Sequence, residues 1–309
     1  MATLDNTIGL LFQAVVISAA LYGAGCLQAW FYFRTYLRRD SVRIKSLVTF
    51  VIVCDTCQQA ILTACAYSYL ITNFANRAIL NHVFSTLIIE IYFSNFIALA
   101  VQLFYCYRVY RVSNGSWLAS IFLALLGVGS FVALFVYTTQ ALKISTFTEL
   151  ATLKTLSMSC NIAAAVTDAL ISAFLVYYLY ISKTGFEKTD DLINRLIAFA
   201  FNTGLPTSIC ALLACISINV WPDTFIYIFW FLLQGRFYTN TLLVSLNTRD
   251  YLRSITAPGT FQEFPLSGQP SAHLSHREAI AIRIDTTCAS RRDFDLKMQH
   301  PSENDSTRE

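Results

Sequence analysis

The sequence predicts an all-α fold: a bundle of seven transmembrane helices, N-terminus outside, followed by a disordered cytosolic C-terminal tail. Three observations carry that expectation. Of 309 residues, 55% are hydrophobic and only 13% are charged, where soluble domains carry about 25% charged residues. Apolar runs of about twenty residues, each long enough to cross a bilayer as a helix, recur through the N-terminal four-fifths of the chain. The charges are segregated, with 17 of 41 lying after Asn247, which separates a membrane domain, 1–247, from a polar tail, 248–309. A formal net charge of +3, with the basic residues in short clusters, is no nucleic-acid signature.

The first apolar run, about 8–33, is too long and too aromatic for a cleaved signal peptide. The others cover about 46–71, 83–106, 117–138, 156–181, 196–220 and 224–246. Trp221, Pro222 and Asp223 separate the last two and suit a tight helix-to-helix turn. Within the first span, Ala19 and Gly23 form a small-xxx-small pair that suits close helix packing. Lys and Arg near span ends are retained on the cytoplasmic side. Arg34, Arg38, Arg39, Arg43, Lys45, Arg108, Arg111, Lys183, Lys188, Arg195, Arg249 and Arg253 fall on one side; Arg77, Lys143 and Lys154 fall on the other. Twelve against three places the tail in the cytosol, with the plasma membrane expected in preference to an internal one. The sequons at Asn114 and Asn304 then face the cytosol and stay unglycosylated.

Of the nine cysteines, eight lie in spans and Cys288 lies in the tail. They read as packing residues, and Cys54 with Cys57, one turn apart in a membrane helix, is weak evidence of redox chemistry. The histidines, His82 at a helix end and His273, His276 and His300 in the tail, form no intramembrane metal cluster. With no nucleophile and base pair either, neither an enzyme nor a cofactor is expected.

The stretch TGFEKTDDLINRLIAFAFNTGLPTSICALLACISI from Thr184, with FYTNTLLVSLNTRDYLR from Phe237 and YSYLITNFAN from Tyr67, resembles a family of multi-pass proteins from mushroom-forming fungi. Its members carry a domain of unknown function. The resemblance spans roughly Gly9 to Arg253 and implies a basidiomycete source and a seven-helix, receptor-like bundle. It implies no activity for any residue. Where similar sequences often carry Lys before the aromatic-Thr-Asn step of the last helix, this chain has Arg236. Its lysines all lie outside the spans, so a covalently bound retinal is excluded.

The candidate site is the set of polar residues inside the spans, since ionisable groups there cost about 2.5–3.5 kcal/mol on insertion scales and face partners in the interior. Asp55, Asp168 and Arg236 fall within about 6 Å of one another in depth at 1.5 Å per residue. Glu90 lies nearer the outer face. In a closed ring Arg236 pairs most simply with Asp55. Gln59 lies one turn from Asp55, and Asn240 lies one turn from Arg236. Asn161, Asp168 and Ser172 share a stripe of the fifth span. Such groups can be structural glue or a ligand pocket or ion path. If all three carboxylates are ionised, one guanidinium leaves a negative surplus suited to a cation, a proton or an amine; protonation of Glu90 or Asp168 by burial removes it. An Arg236 sealed against Asp55 would be structural, and an outer pocket with unpaired carboxylates would favour a ligand.

Pro206, whose ring opposes the carbonyl of Asn202, makes that part of the sixth span a candidate hinge, although proline is common in membrane helices without one. The basic first loop suits anionic lipid headgroups, and positive-inside topology requires no cytosolic protein partner for it. Tyr107, Arg108 and Val109 lack the acidic residue of an Asp-Arg-Tyr motif. The leading expectation is a non-enzymatic receptor or sensor that binds a small molecule in the outer half of the bundle. The alternative is a transporter or proton-coupled path through Asp55, Asp168 and Arg236.

Overall fold

The computed structural model describes residues 5–74, 82–113, 115–183, 187–221 and 224–250, without the side chains of 5, 6, 187–189, 199 and 201–203. The chain divides into two units, 1–261 and 262–309, and every described residue belongs to the first. Its helices are α1 (Leu10–Tyr36), α2 (Val42–Tyr67), α3 (Ser85–Val112), α4 (Trp117–Ala141), the single turn α5 (Phe147–Leu150), α6 (Lys154–Ile181), α7 (Glu187–Val220) and α8 (Ile226–Asn247).

Among the described residues, five helical segments are long and apolar enough to cross a membrane: Thr7–Tyr36, Val42–Thr72, Ser85–Val112, Trp117–Ala141 and Phe147–Ile181. Gly204–Val220, within α7, is a shorter apolar helix. α8 is not in that group, because Gln234, Arg236 and Asn240 interrupt its apolar run. The expected seventh span therefore forms a helix that is less apolar than those five, and Gly204–Val220 is the described apolar part of the expected sixth. Large apolar side chains such as Phe12, Leu27, Trp30, Val53, Leu125, Tyr177 and Leu212 point outward. In water such a surface would associate, whereas lipid tails cover it without penalty. These features are consistent with a multi-pass integral membrane protein.

The helices pack in the order α1, α2, α3, α4, α6, α7, α8, with α8 returning to α1, and α3 also touches α6 and α8. One end of the bundle carries the bridge between His82 and Thr146. The other carries the α1–α2 turn with Asp40. Leu11, Leu62, Tyr69, Leu87, Phe225 and Leu232 fill part of the core near the His82 end. Tyr32, Tyr36, Val48, Val109, Leu179 and Leu246 belong to the core that reaches the Asp40 end. α5 is capped by Thr146, whose hydroxyl accepts the Glu149 amide at 3.3 Å, the usual N-cap bond.

Three expectations change. Nothing packs within 4 Å of a side chain added at Gly23, and Ala19 is exposed. α1 instead buries Ala14, Ser18, Gly25 and Ala29, so its packing face is rotated away from the small-residue pair. α7 starts at Glu187, nine residues before the expected span, because its polar first turns continue the helix and are braced by Arg195 to Asp191 at 3.1 Å. Thr248–Asp250, placed in the tail from composition, are held against the bundle: the Thr248 amide bonds the Val244 carbonyl at 3.0 Å, and Arg249 and Asp250 pair with Asp40 and Arg39. Pro206 lies inside α7, where the Thr207 hydroxyl donates to the Gly204 carbonyl at 3.1 Å. The Asn202 side chain, Pro222, Asp223, both sequon asparagines, Cys288 and the tail from 251 lie outside the described residues.

Candidate functional site

The buried polar residues do not form one cluster. They sort around α8 into separate groups, because side chains two residues apart on a helix point about 200° apart.

Arg236 and Asp55 are both fully buried, at 0% exposure, and form an ion pair. The guanidinium makes further bonds nearby: Nε on Ser18 Oγ at 2.8 Å, Nη1 also on the Asp55 carbonyl at 3.0 Å, and Nη2 on Gln59 Oε1 at 3.0 Å. Ser18 Oγ in turn donates to Gln59 Oε1 at 3.1 Å, and the guanidinium lies 5.8 Å from the Tyr22 ring centroid. α1, α2 and α8 thus close around one cation. Asn240 shares Arg236's side of the helix as expected, but it serves the backbone, donating to the Arg236 and Leu21 carbonyls at 2.9 and 3.1 Å. Gln28 Nε2 donates to Asn240 Oδ1 at 3.3 Å.

Glu90 of α3 is also fully buried, and it accepts a hydrogen bond from Gln58 of α2. Glu90 Oε2 and Gln58 Oε1 have no hydrogen-bond partner among the described residues. Gly235 of α8 crosses close to this pair. A methyl group added there would sit 2.6 Å from Ser94 Oγ and 2.8 Å from Gln58 Nε2.

Asp168 is remote in bonding from both groups. Tyr238 Oη donates to its Oδ2 at 2.6 Å, and Gln102 Nε2 donates to its Oδ1 at 2.9 Å. Neither partner figured among the candidates read from sequence. Gln102 is an amide within an apolar run, a visible signal, whereas Tyr238 looks like one more aromatic until the rotation of α8 is known.

Three cavities follow this side of α8. The one near the His82 end, about 40 Å³ as space open to the centre of a water molecule, is lined by apolar residues including Ile88, Ile91, Ala214, Ile218 and Phe231, with Tyr137, Ser157, Asn161 and Tyr227 as its polar groups. A middle cavity of about 30 Å³ is bordered by Asn95, Gln102, Ser130, Asn161, Gln234 and Tyr238. The third, about 20 Å³, is bordered by Asp168, Ser172, Gly204, Thr207 and Tyr238. Asp55 and Arg236 line none of the three.

At the Asp40 end, Arg249 binds both oxygens of Asp40, at 3.2 and 2.6 Å, and Tyr32 Oη donates to Asp40 Oδ2 at 2.9 Å. Arg249 also lies 4.8 Å from the Tyr36 ring centroid. Burial pushes the Asp40 carboxyl up, but hydrogen bonds from Arg249 and Tyr32, with the charges of Arg249 and Lys45, hold it below its ordinary value.

This architecture, a helical bundle with buried ion-paired and cavity-lining polar groups, defines a class without naming an activity. Residues 164–251 match a family of unknown function (DUF6534), a stretch that contains Asp168, Pro206, Arg236, Tyr238 and Asn240. No curated protein and no solved structure matches the chain.

Proposed function

We propose that the chain is a non-enzymatic membrane protein of seven spans, of receptor or sensor type. In this reading it takes a small, mainly apolar molecule into the cavity near the His82 end. α7 and α8 supply the sixth and seventh spans, and the distribution of Lys and Arg puts the His82 end outside and the tail in the cytosol. The resemblance to fungal multi-pass proteins supports a basidiomycete source, and the plasma membrane is the proposed location. No protein partner is assigned.

The observation that carries the ligand reading is the cavity lined from α3, α4, α6, α7 and α8, apolar with a few polar groups, the usual character of a small-molecule site. A water needs roughly 10–15 Å³ counted in this way, so the cavity as packed holds a few waters or a small guest. A larger ligand enters only by displacing lining side chains such as Phe231. Ala214 and Ile218 lie beyond Pro206 on α7, so such a displacement would bias the proline-bearing helix, which is how differential binding shifts a population. The transporter alternative, which uses Asp55, Asp168 and Arg236 together, draws less support because the first and third are mutually neutralised and fully buried.

The test is thermal unfolding of the full chain in lipid nanodiscs against a panel of small apolar alcohols, ketones and aldehydes, with Ile91→Trp as the cavity-filling variant. A compound that raises the unfolding temperature of the parent and not of Ile91→Trp supports the site. A panel without effect, or with the same effect on both proteins, rejects it.

A further inference from the structure

The three cavities share walls. Asn161 and Phe231 border both the His82-end cavity and the middle one, while Gln102 and Tyr238 border both the middle cavity and the one at Asp168. Each volume exceeds the roughly 10–15 Å³ that a water occupies, and each wall offers the two to four polar partners a buried water requires. The successive side chains are Tyr137, Ser157 and Asn161, then Ser130, Gln234 and Gln102, then Thr207, Ser172 and Asp168. The file begins near the His82 end and stops halfway along α6.

Toward the Asp40 end the polar lining runs out among the described residues. The Tyr105 hydroxyl donates to the Thr241 carbonyl at 3.3 Å, and Leu175, Leu179, Val109, Leu242 and Leu246 pack into the core beyond. Among the described residues, the polar groups facing Asp168 are Gln102 and Tyr105 of α3, Ser172 of α6, Thr207 of α7, and Tyr238 and Thr241 of α8. Only the two tyrosines among them titrate, and none is a cation. Arg236 is occupied with Asp55 in the group with α1 and α2.

We propose that these cavities form a hydrated half-channel through which protons reach the Asp168 carboxylate from the His82 end alone. The water-sized rooms and the single carboxylate suit a proton better than a metal cation, which would need several oxygen ligands. A hydronium ion at the mouth gives one proton to the water file and remains as water, and the last water passes a proton to a carboxylate oxygen of Asp168. The reverse transfer restores both. Asp55 and Arg236 are not on this route, which separates it from a path through all three residues. The inference does not rest on the ligand reading, since a His82-end cavity that holds only water serves the proton route as well.

The experiment is infrared spectroscopy of the full chain in oriented proteoliposomes after pH steps, following the carbonyl stretch of a protonated buried carboxyl. A step on the His82 side should produce the band and a step on the Asp40 side should not. The band should be lost in Asp168→Asn and kept in Asp55→Asn. Ala98→Leu, which narrows the middle cavity that Ala98 lines, should leave its size unchanged and slow its appearance several-fold. A band that survives Asp168→Asn, responds to either side equally, or appears at the parental rate in Ala98→Leu overturns the half-channel. If Asp168→Asn or Asp55→Asn does not fold, the sidedness and the Ala98→Leu rate still decide. Loss of ligand effects with these infrared results intact would count against the proposed function alone.

Discussion

Arg236 and Tyr238, two residues apart on α8, bind different carboxylates on opposite sides of that helix: Arg236 pairs with Asp55 of α2, and Tyr238 donates to Asp168 of α6. One helix therefore holds a neutralised ion pair against α1 and α2 while presenting a hydroxyl to the cavities on its other side.

Removing one partner of the first pair should be costly. Arg236→Met leaves Asp55 buried without its counter-charge, a change worth about 3–5 kcal/mol in comparable sites, while replacing both partners with apolar residues is often close to neutral. Thermal unfolding in detergent should show a large loss for Arg236→Met and substantial recovery in the double variant Asp55→Leu with Arg236→Met. Equal losses in both would mean that the Ser18 and Gln59 contacts, not the uncompensated charge, dominate.

Gly204 marks a close approach of α7 to α6. A methyl group there would lie 1.9 Å from Ser172 Oγ, 3.1 Å from Ser172 Cβ and 3.4 Å from the Asp168 carbonyl. Gly204→Ala should cost about 1–3 kcal/mol, as overpacking does, and Ser172→Ala in the same chain should recover much of it by removing the nearest atom. Additive losses on thermal unfolding would refute this steric account.

The Asp40–Arg249 contact should make stability depend on acid. Asp40's folded-state value is depressed, so its contribution is complete above the unfolded carboxyl range, near pH 4, and is lost as pH falls through the lower folded value. Asp40→Asn should lower the unfolding temperature at pH 6 and flatten its fall below about pH 4. The measurement is unfolding temperature against pH, and an unchanged acid limb would remove Asp40 from the account.

Orientation is open to direct labelling. Lys143→Cys, at the His82 end, should react with a membrane-impermeant maleimide on intact cells above the parental background, and Arg39→Cys should react only after permeabilisation. The opposite pattern would invert the topology.

Much of the helical organisation was legible in the chain because the length of an apolar run and the charges beside it are local properties. The ranges expected for the fourth and fifth spans, 117–138 and 156–181, fall close to α4 and α6. The expected Arg236–Asp55 pairing is present too, because a lone guanidinium at the depth of a carboxylate has few alternatives. The face of α1 was misjudged at Ala19 and Gly23 because small residues fit both a packed interface and lipid.

What composition and spacing dictated about this protein is its helical, lipid-suited character and the depth at which its buried charges lie. Tertiary packing alone sorted those charges into partners. The rotation of α8 between α1 and α7 assigns Asp55 to Arg236 and Asp168 to Tyr238, and the imperfect closure of α3, α6, α7 and α8 leaves cavities beside Asp168. Rotation about a helix axis and the fit between neighbouring helices depend on every contacting side chain at once, so no single stretch of sequence encodes them.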